Sequence, residues 1–329
     1  MHAGHHAPDG SFRNPWPESA PHDLSDVLRW MRERRGAGRA PTPARGAFPA
    51  TEPSIAHPRG AHDVATATWI GHSTVLVQAG GLNILTDPMW SERASPVQWA
   101  GPRRVMPPAV ALEALPPLDV VLLSHSHYDH FDKATVKRLA RLHPDATWVV
   151  PLKLGAYVHE FGARAVVELD WWQGADVHGM AIAATPARHF SARRFRDRNR
   201  TLWCGFALEI AGRRLYFAGD TAYHPEFAAI GERYGPFDLV MMPLGAYDPR
   251  WFMHIVHVNP EEAVQAYADV AAVHQGTLPP LMLGIHWGTF RLTDEPMDEP
   301  PARTRAAWRG RGLSDDRLWI ARFGETRAW

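Results

Sequence analysis

Between Ser124 and His130 the chain reads Ser-His-Ser-His-Tyr-Asp-His, so four side chains able to bind a metal ion fall within six residues. His125 and His127 alternate by two, and in extended backbone both imidazoles leave on one side. Asp129 and His130 are adjacent, and a turn there can aim them at a second ion beside the first. A surface histidine cluster is the plain alternative. The apolar run Asp119–Leu123 directly ahead of the motif argues against it, because a cluster at a buried strand's carboxyl end is costly without a cation. Imidazole with carboxylate ligation suits zinc, with manganese or iron as alternatives.

One short motif cannot close two metal sites, and further ligands are expected at other strand ends. His189 follows the run Met180–Ala184, Asp220 follows Arg214–Ala218 in Ala-Gly-Asp-Thr, and His286 ends Leu281–Ile285. Any one of them alone reads as an ordinary loop residue. Three at three strand ends, in one chain with the motif, read as ligands. A carboxylate such as Asp220 can bridge two cations and hold them about 3.5–4 Å apart.

The elements that must position these groups are short and rich in β-branched residues. Strands are expected at Thr66–Ile70, Thr74–Gln78, Asn83–Thr86, Asp119–Leu123, Trp148–Val150, Met180–Ala184, Gly205–Ile210, Arg214–Ala218, Leu239–Met242 and Leu281–Ile285. Asp132 caps a helix with Val136, Leu139 and Ala140 on its apolar side, and Asn259-Pro260 opens another with Glu261 and Glu262 in its first turn. Many strands with interspersed helices indicate a layered α/β or α+β domain over residues 63–329. Residues 1–62, rich in Pro, Gly, Arg and His, read as an extended arm. Within it Leu24, Val27, Leu28 and Met31 lie at helical spacing behind Asp23 as N-cap. That amphipathic stripe suits packing on the chain's own core or lying at a lipid interface.

Thirty-five basic residues balance 35 acidic ones, so no global field draws the protein to nucleic acid and none is expected as a partner. The lone Cys204 forms no internal disulfide. The first residues lack the apolar stretch of a signal peptide, and no run approaches the roughly 18–20 apolar residues of a membrane span. The expectation is a cytoplasmic protein, with peripheral membrane contact left open. Of the 19 histidines, His2, His5 and His6 read as surface scatter. Trp171, Trp172, Trp251 and Trp287 read as core or as the lining of an acyl groove.

His-x-His-x-Asp-His followed by single His, Asp and His ligands resembles the metallo-β-lactamase superfamily. The resemblance implies an αβ/βα four-layer sandwich with two Zn²⁺ per chain along one edge. His125, His127 and His189 would hold one ion, Asp129, His130 and His286 the other, and Asp220 would bridge them. Longer strings are similar to the N-acyl-phosphatidylethanolamine-hydrolysing phospholipase D family. They include Phe12–Trp16, Thr68–Thr74, Leu85–Pro88, Arg93–Pro96, Glu168–Trp172, Gly235–Asp238, Gly245–Tyr247, Pro249–Met253 and His257–Ala263. The chain departs from that family at Ser126, where an amide residue is usual, and along the arginine-rich stretch Ser191–Arg200.

This second resemblance implies a zinc-dependent phosphodiesterase that releases an N-acylethanolamine and leaves phosphatidic acid. It gives catalytic parts to Asp129, Asp220 and His257 and phospholipid contact to Tyr128 and His257. Asp87, and with it His72, would orient the metal-binding groups. A homodimer working on a phospholipid is also implied. Other readings are a two-metal hydrolase of a lactone, cyclic phosphate or nucleic acid, and a non-enzymatic lipid-binding protein. The full ligand set argues against the last.

Overall fold

Val120, Val121, Leu122 and Leu123 are all fully buried, and they divide by parity between two cores. Val120 and Leu122 point into the main core, and Val121 and Leu123 into a smaller one. A continuous apolar run behaves this way when a strand is covered on both faces. The computed structural model describes residues 3–17, 22, 24–36, 40–194, 196–273 and 278–329.

The first sheet consists of β1 (Thr66–Gly71), β2 (Thr74–Ala79), β3 (Leu82–Thr86), β4 (Val120–Leu122), β5 (Thr147–Pro151), β6 (Ala165–Leu169) and β14 (Thr326–Ala328), in the order β14-β1-β2-β3-β4-β5-β6. The second consists of β7 (Gly174–Val177), β8 (Met180–Thr185), β9 (Gly205–Ile210), β10 (Arg213–Phe217), β11 (Leu239–Pro243), β12 (Leu281–Ile285) and β13 (Leu318–Trp319), in the order β13-β12-β11-β10-β9-β8-β7. The main core lies between the sheets. Helices α2 (Lys133–Leu142) and α3 (Gly155–Glu160) cover the first sheet through Val136, Leu139 and Val158. Helices α4 (Glu226–Tyr234), α6 (Pro260–Ala271) and α7 (Glu299–Gly310) cover the second through Phe227, Ile230, Val264, Tyr267 and Trp308. The four-layer α/β sandwich is therefore observed.

Strand direction decides where the ligands can go. β1 and β2 pair antiparallel, as do β2 and β3, while β3 and β4 are parallel, so β1, β3 and β4 all point one way. By the same count β8, β10 and β12 point one way in the second sheet. His72, Asp87 and His125 follow the first set, and His189, Asp220 and His286 follow the second.

Both expected helix starts are present. Asp132 accepts from Ala134 N at 3.2 Å, and Asn259 and Glu262 form a reciprocal capping box. Strands β6, β7, β13 and β14, and helices α3, α4, α7 and α5 (Arg250–Met253), carry weaker local signals and were not expected.

Ahead of residue 63 the chain makes specific contacts with the sandwich. Phe12 is buried in the main core. His5 is 4% exposed and lies 2.7 Å from Asp170, which overturns its reading as surface scatter: an imidazole can bury its ring against tryptophan while its nitrogen keeps a polar partner. Helix α1 (Leu24–Gly36) packs through Trp30 on Phe252 at 4.9 Å between ring centroids. Leu28 and Met31 are 58% and 46% exposed, so their side of the helix is not held by the core. Asp23 lies outside the described residues.

Leu122→Ala removes side-chain volume at the last residue of β4, where the main core meets the histidine motif. Such truncations cost about 2–5 kcal/mol. Equilibrium denaturant unfolding is expected to show that loss, and an unchanged midpoint would contradict the packing described.

Candidate metal centre

Several strand ends bring a side chain to the cluster by a sharp change of backbone direction. His72, Asp87 and His286 take left-handed conformations at φ 54°, 32° and 59°, a strained arrangement for residues other than glycine and common at functional sites. Gly219, before Asp220, has φ 62°, and an added Cβ would stand 2.8 Å from the Ser124 side chain and 2.9 Å from the Cys204 carbonyl. Only glycine fits there, so Asp220 can approach the motif closely.

The expected ligands come together in two groups. His125 Nε2 lies 2.8 Å from His127 Nδ1, and His189 Nε2 lies 3.2 Å from the same atom. Beside them, Asp129 Oδ2 stands 3.4 Å from His130 Nε2 and 3.5 Å from His286 Nε2. Asp220 Oδ2 faces both groups, at 3.0 Å from His130, 3.2 Å from His286, 3.8 Å from His189 and 3.9 Å from His125. Ligand atoms of a tetrahedral zinc bonded at 2.0–2.1 Å stand about 3.3 Å apart. The cluster matches that spacing. His130 Nε2, His286 Nε2 and Asp220 Oδ1 are buried with no hydrogen-bond partner among the described residues. Such orphaned groups are costly unless a cation completes them.

Hydrogen bonds behind the ligands fix which ring nitrogen faces inward. His189 Nδ1 donates to the Val256 carbonyl at 2.8 Å, which leaves Nε2 with its lone pair. His130 Nδ1 donates to Asp87 at 2.7 Å. Ser124 Oγ donates to Asp87 at 2.6 Å and accepts from His125 Nδ1 at 2.9 Å. When neutral, the three imidazoles so held present Nε2 lone pairs to the centre, as ligation requires. His72 Nε2 lies 3.0 Å from Asp129 Oδ2 and holds that carboxylate in place.

Burial holds His127 down to about 3 and His189 to about 4, so both stay neutral at ordinary pH. Burial also opposes charge on His286, but Asp220 and Asp129 outweigh it and push that group up to about 9. Asp129 and Asp220, which burial alone would raise, are held well below the usual carboxylate range, with His130 the largest opposing influence. The two carboxylates therefore demand buried positive charge. Protons on His130 and His286 answer that demand within the polypeptide, and a divalent cation answers it with the same groups as ligands.

His257 also reaches the cluster. Its ring centroid is 4.9 Å from that of His189, it groups with His189 and Asp220, and its Nδ1 has no partner among the described residues. Tyr128 lies differently. Its hydroxyl donates to the Arg193 carbonyl at 2.6 Å, so the phenol is tied to the neighbouring loop instead of standing free in the cleft. Its ring lines a cavity of about 410 Å³ with Ser95, Lys133, Phe161 and Arg193. Trp171 and Trp287 are buried in the core, whereas Trp172 is partly exposed.

Three supporting residues escaped the sequence reading. Ser124 links His125 to Asp87. Asn14 Nδ2 donates to the His189 carbonyl at 2.8 Å, although the Phe12–Trp16 string gave no hint of that contact. Arg193, in the divergent arginine-rich stretch, donates to the carbonyls of Ser126 at 3.2 Å and Phe131 at 2.6 Å, bracing both ends of the ligand loop. Asn14 and Arg193 act on backbone carbonyls far away in sequence and Ser124 acts through side chains, and residue type alone does not signal these roles.

Asp87→Asn keeps the side-chain shape but exchanges one accepting oxygen for an NH₂. It is expected to weaken divalent-ion affinity roughly 10–100-fold, measured by competition with a chelator. Unchanged affinity would separate Asp87 from the centre.

The Beta-lactamase superfamily domain family matches residues 82–287 of the chain. An uncharacterized protein of Mycobacterium tuberculosis is 42% identical over 305 residues, covering 91% of this chain and 78% of that one. N-acyl-phosphatidylethanolamine-hydrolyzing phospholipase D 1 of Caenorhabditis elegans is 44% identical over 236 residues, covering 69% of this chain and 64% of that protein. In fold, the chain resembles the isothiocyanate hydrolase from Delia radicum gut bacteria, with TM-score 0.62 and 21% identity over 80% of this chain and 98% of that one. Matched over more than half its length, with the His/Asp cluster at the shared edge of both sheets, the chain belongs to the metallo-β-lactamase superfamily and is one of its metal-dependent hydrolases.

Proposed function

We propose that the protein is a two-zinc phosphodiesterase that hydrolyses N-acyl-phosphatidylethanolamine to an N-acylethanolamine and phosphatidic acid. The observation that carries the two-metal part is the position of Asp220 Oδ2, within 3.9 Å of nitrogens from both ligand groups. In this reading His125, His127 and His189 hold one ion, Asp129, His130 and His286 the other, and Asp220 both. The substrate part is supported by the relative's printed activity and by sequence similarity extending far beyond the ligands.

Two cations held by these residues would lower the pKa of water and would supply Lewis acidity toward the phosphoryl oxygens. Asp129 and Asp220 fix the charge and spacing of the site. In the reaction an oxygen from water bonds to phosphorus and the bond from phosphorus to the ethanolamine oxygen breaks. Burial holds His257 neutral beside His189 and Asp220, so it would take up the proton that the attacking water loses and pass it to the departing alkoxide. Tyr128 and the cavity beside it would contact the lipid, through the ring and the Arg193 guanidinium stacked on it at 4.4 Å.

We take residues 63–329 as the hydrolase domain and the preceding segment as an arm that meets the membrane. No helix among the described residues is long and apolar enough to cross a bilayer. Contact would run through the exposed Leu28 and Met31 of α1, with Arg29 and Arg32 nearby for anionic head groups. A homodimer is taken as the working form, to be decided by light scattering.

The deciding experiment compares N-acyl-phosphatidylethanolamine, phosphatidylethanolamine, a lactone and a β-lactam under identical metal loading. Release of N-acylethanolamine is expected to dominate. Faster turnover of the lactone or β-lactam than of every phospholipid would leave the metal-dependent hydrolase and remove the lipid reading. Asp220→Asn is expected to reduce turnover by orders of magnitude, because an amide bridges cations poorly. His257→Gln is expected to lower kcat roughly 10²–10⁴-fold. Replacing Leu28 and Met31 together by serine is expected to slow hydrolysis in vesicles while sparing a soluble phosphodiester, and equal loss on both would count against the interface.

A further inference from the structure

A second set of metal-ligating side chains lies far along the chain from the centre described above. His5 Nε2 stands 2.7 Å from Asp170 Oδ1, and His6 Nε2 stands 2.8 Å from Asp170 Oδ2. The three donor groups converge closely enough to share one ion. His5 is buried, His6 is exposed and Asp170 is partly exposed, which leaves an open position toward solvent.

The local backbone is shaped for this convergence. Successive side chains of an extended segment leave on opposite sides, and His5 and His6 would then diverge. A 3₁₀ turn over Ala3–His5, followed by a bridge between His6 and Phe12, turns both rings onto one carboxylate. Trp171 fixes the cluster from below: its ring stacks on His5 at 4.3 Å between centroids, and its backbone N–H donates to Asp170 at 2.8 Å. One imidazole would satisfy the carboxylate as a hydrogen-bond partner. Two imidazoles, one on each oxygen, make the donor set of a borderline divalent ion such as zinc. The spacing resembles the main centre, where His125 and His127 nitrogens stand 2.8 Å apart.

The position of the cluster suggests what such an ion does. Asp170 directly follows β6, whereas His5 and His6 belong to the segment that buries Phe12 and carries Asn14 to the His189 carbonyl. We infer that His5, His6 and Asp170 form a third, structural divalent-metal site that straps the N-terminal segment to the turn after β6, and through Asn14 steadies His189. The site is independent of which substrate the main centre hydrolyses.

The test uses the full chain with an unmodified N-terminus and Zn²⁺ as the probe. Equilibrium dialysis with elemental analysis is expected to give one zinc fewer per chain in His6→Ala and in Asp170→Asn than in the wild type. Because His6 is exposed, its replacement leaves the core intact. Asp220→Asn, impaired at the main centre, is expected to keep the strap ion, which separates the two sites. As a second readout, zinc is expected to slow limited proteolysis within residues 3–17 at least tenfold in the wild type and to leave His6→Ala unaffected. An unchanged zinc count in His6→Ala, or cleavage of the wild type that ignores zinc, would overturn the site and leave a plain hydrogen-bonded clasp.

Discussion

Three hydrogen bonds end on the buried carboxylate of Asp87, from Ser124 N, Ser124 Oγ and His130 Nδ1. The organisation of the centre depends on them. They fix the tautomers of His125 and His130, tie the motif loop to the end of β3, and set a negative charge behind the ligands where it raises their basicity. Burial pushes the Asp87 carboxyl up, so its charge is sustained by those donors and not by water. A buried polar group that loses its partner costs about 1–3 kcal/mol, more if charged. The network therefore gains or loses its order as a unit.

The sandwich makes such a network possible. With β1, β3 and β4 pointing one way, and β8, β10 and β12 sharing one direction, six strand ends deliver side chains to one edge. These six strands are held because most of their residues are buried on both faces. The turns beyond them carry the strain, at His72, Asp87 and His286. Chemistry and stability are thus assigned to different parts of the same elements.

The N-terminal segment changes the meaning of the region before the hydrolase domain. Asn14 touches the backbone of the candidate ligand His189, Phe12 sits in the core, and α1 packs beside residues 252–256, whose Val256 carbonyl fixes the His189 tautomer. A chain piece that sequence composition presents as an extended arm is coupled to the centre by direct contacts. Contact with a lipid surface through α1 would then be felt within a few residues of the ligands.

Sequence by itself determined the candidate ligand types, the strands that carry them and the family to which the chain belongs. Alternation in His125-Ser126-His127, apolar runs ending at His189, Asp220 and His286, and the caps at Asp132 and Asn259 are local patterns, and local backbone geometry follows from them. The edge strands β6 and β7 were not legible. Their residues are half exposed and their order comes from pairing with β5 and β8, which no local pattern records. The tertiary structure alone decided that Tyr128 spends its hydroxyl on Arg193, that His5 is buried on Trp171, and that Leu28 and Met31 face solvent. It also decided that Asn14 holds His189, across 175 residues of chain. These contacts join backbone atoms and side chains that are distant in sequence, and only the folded chain brings them within hydrogen-bonding reach.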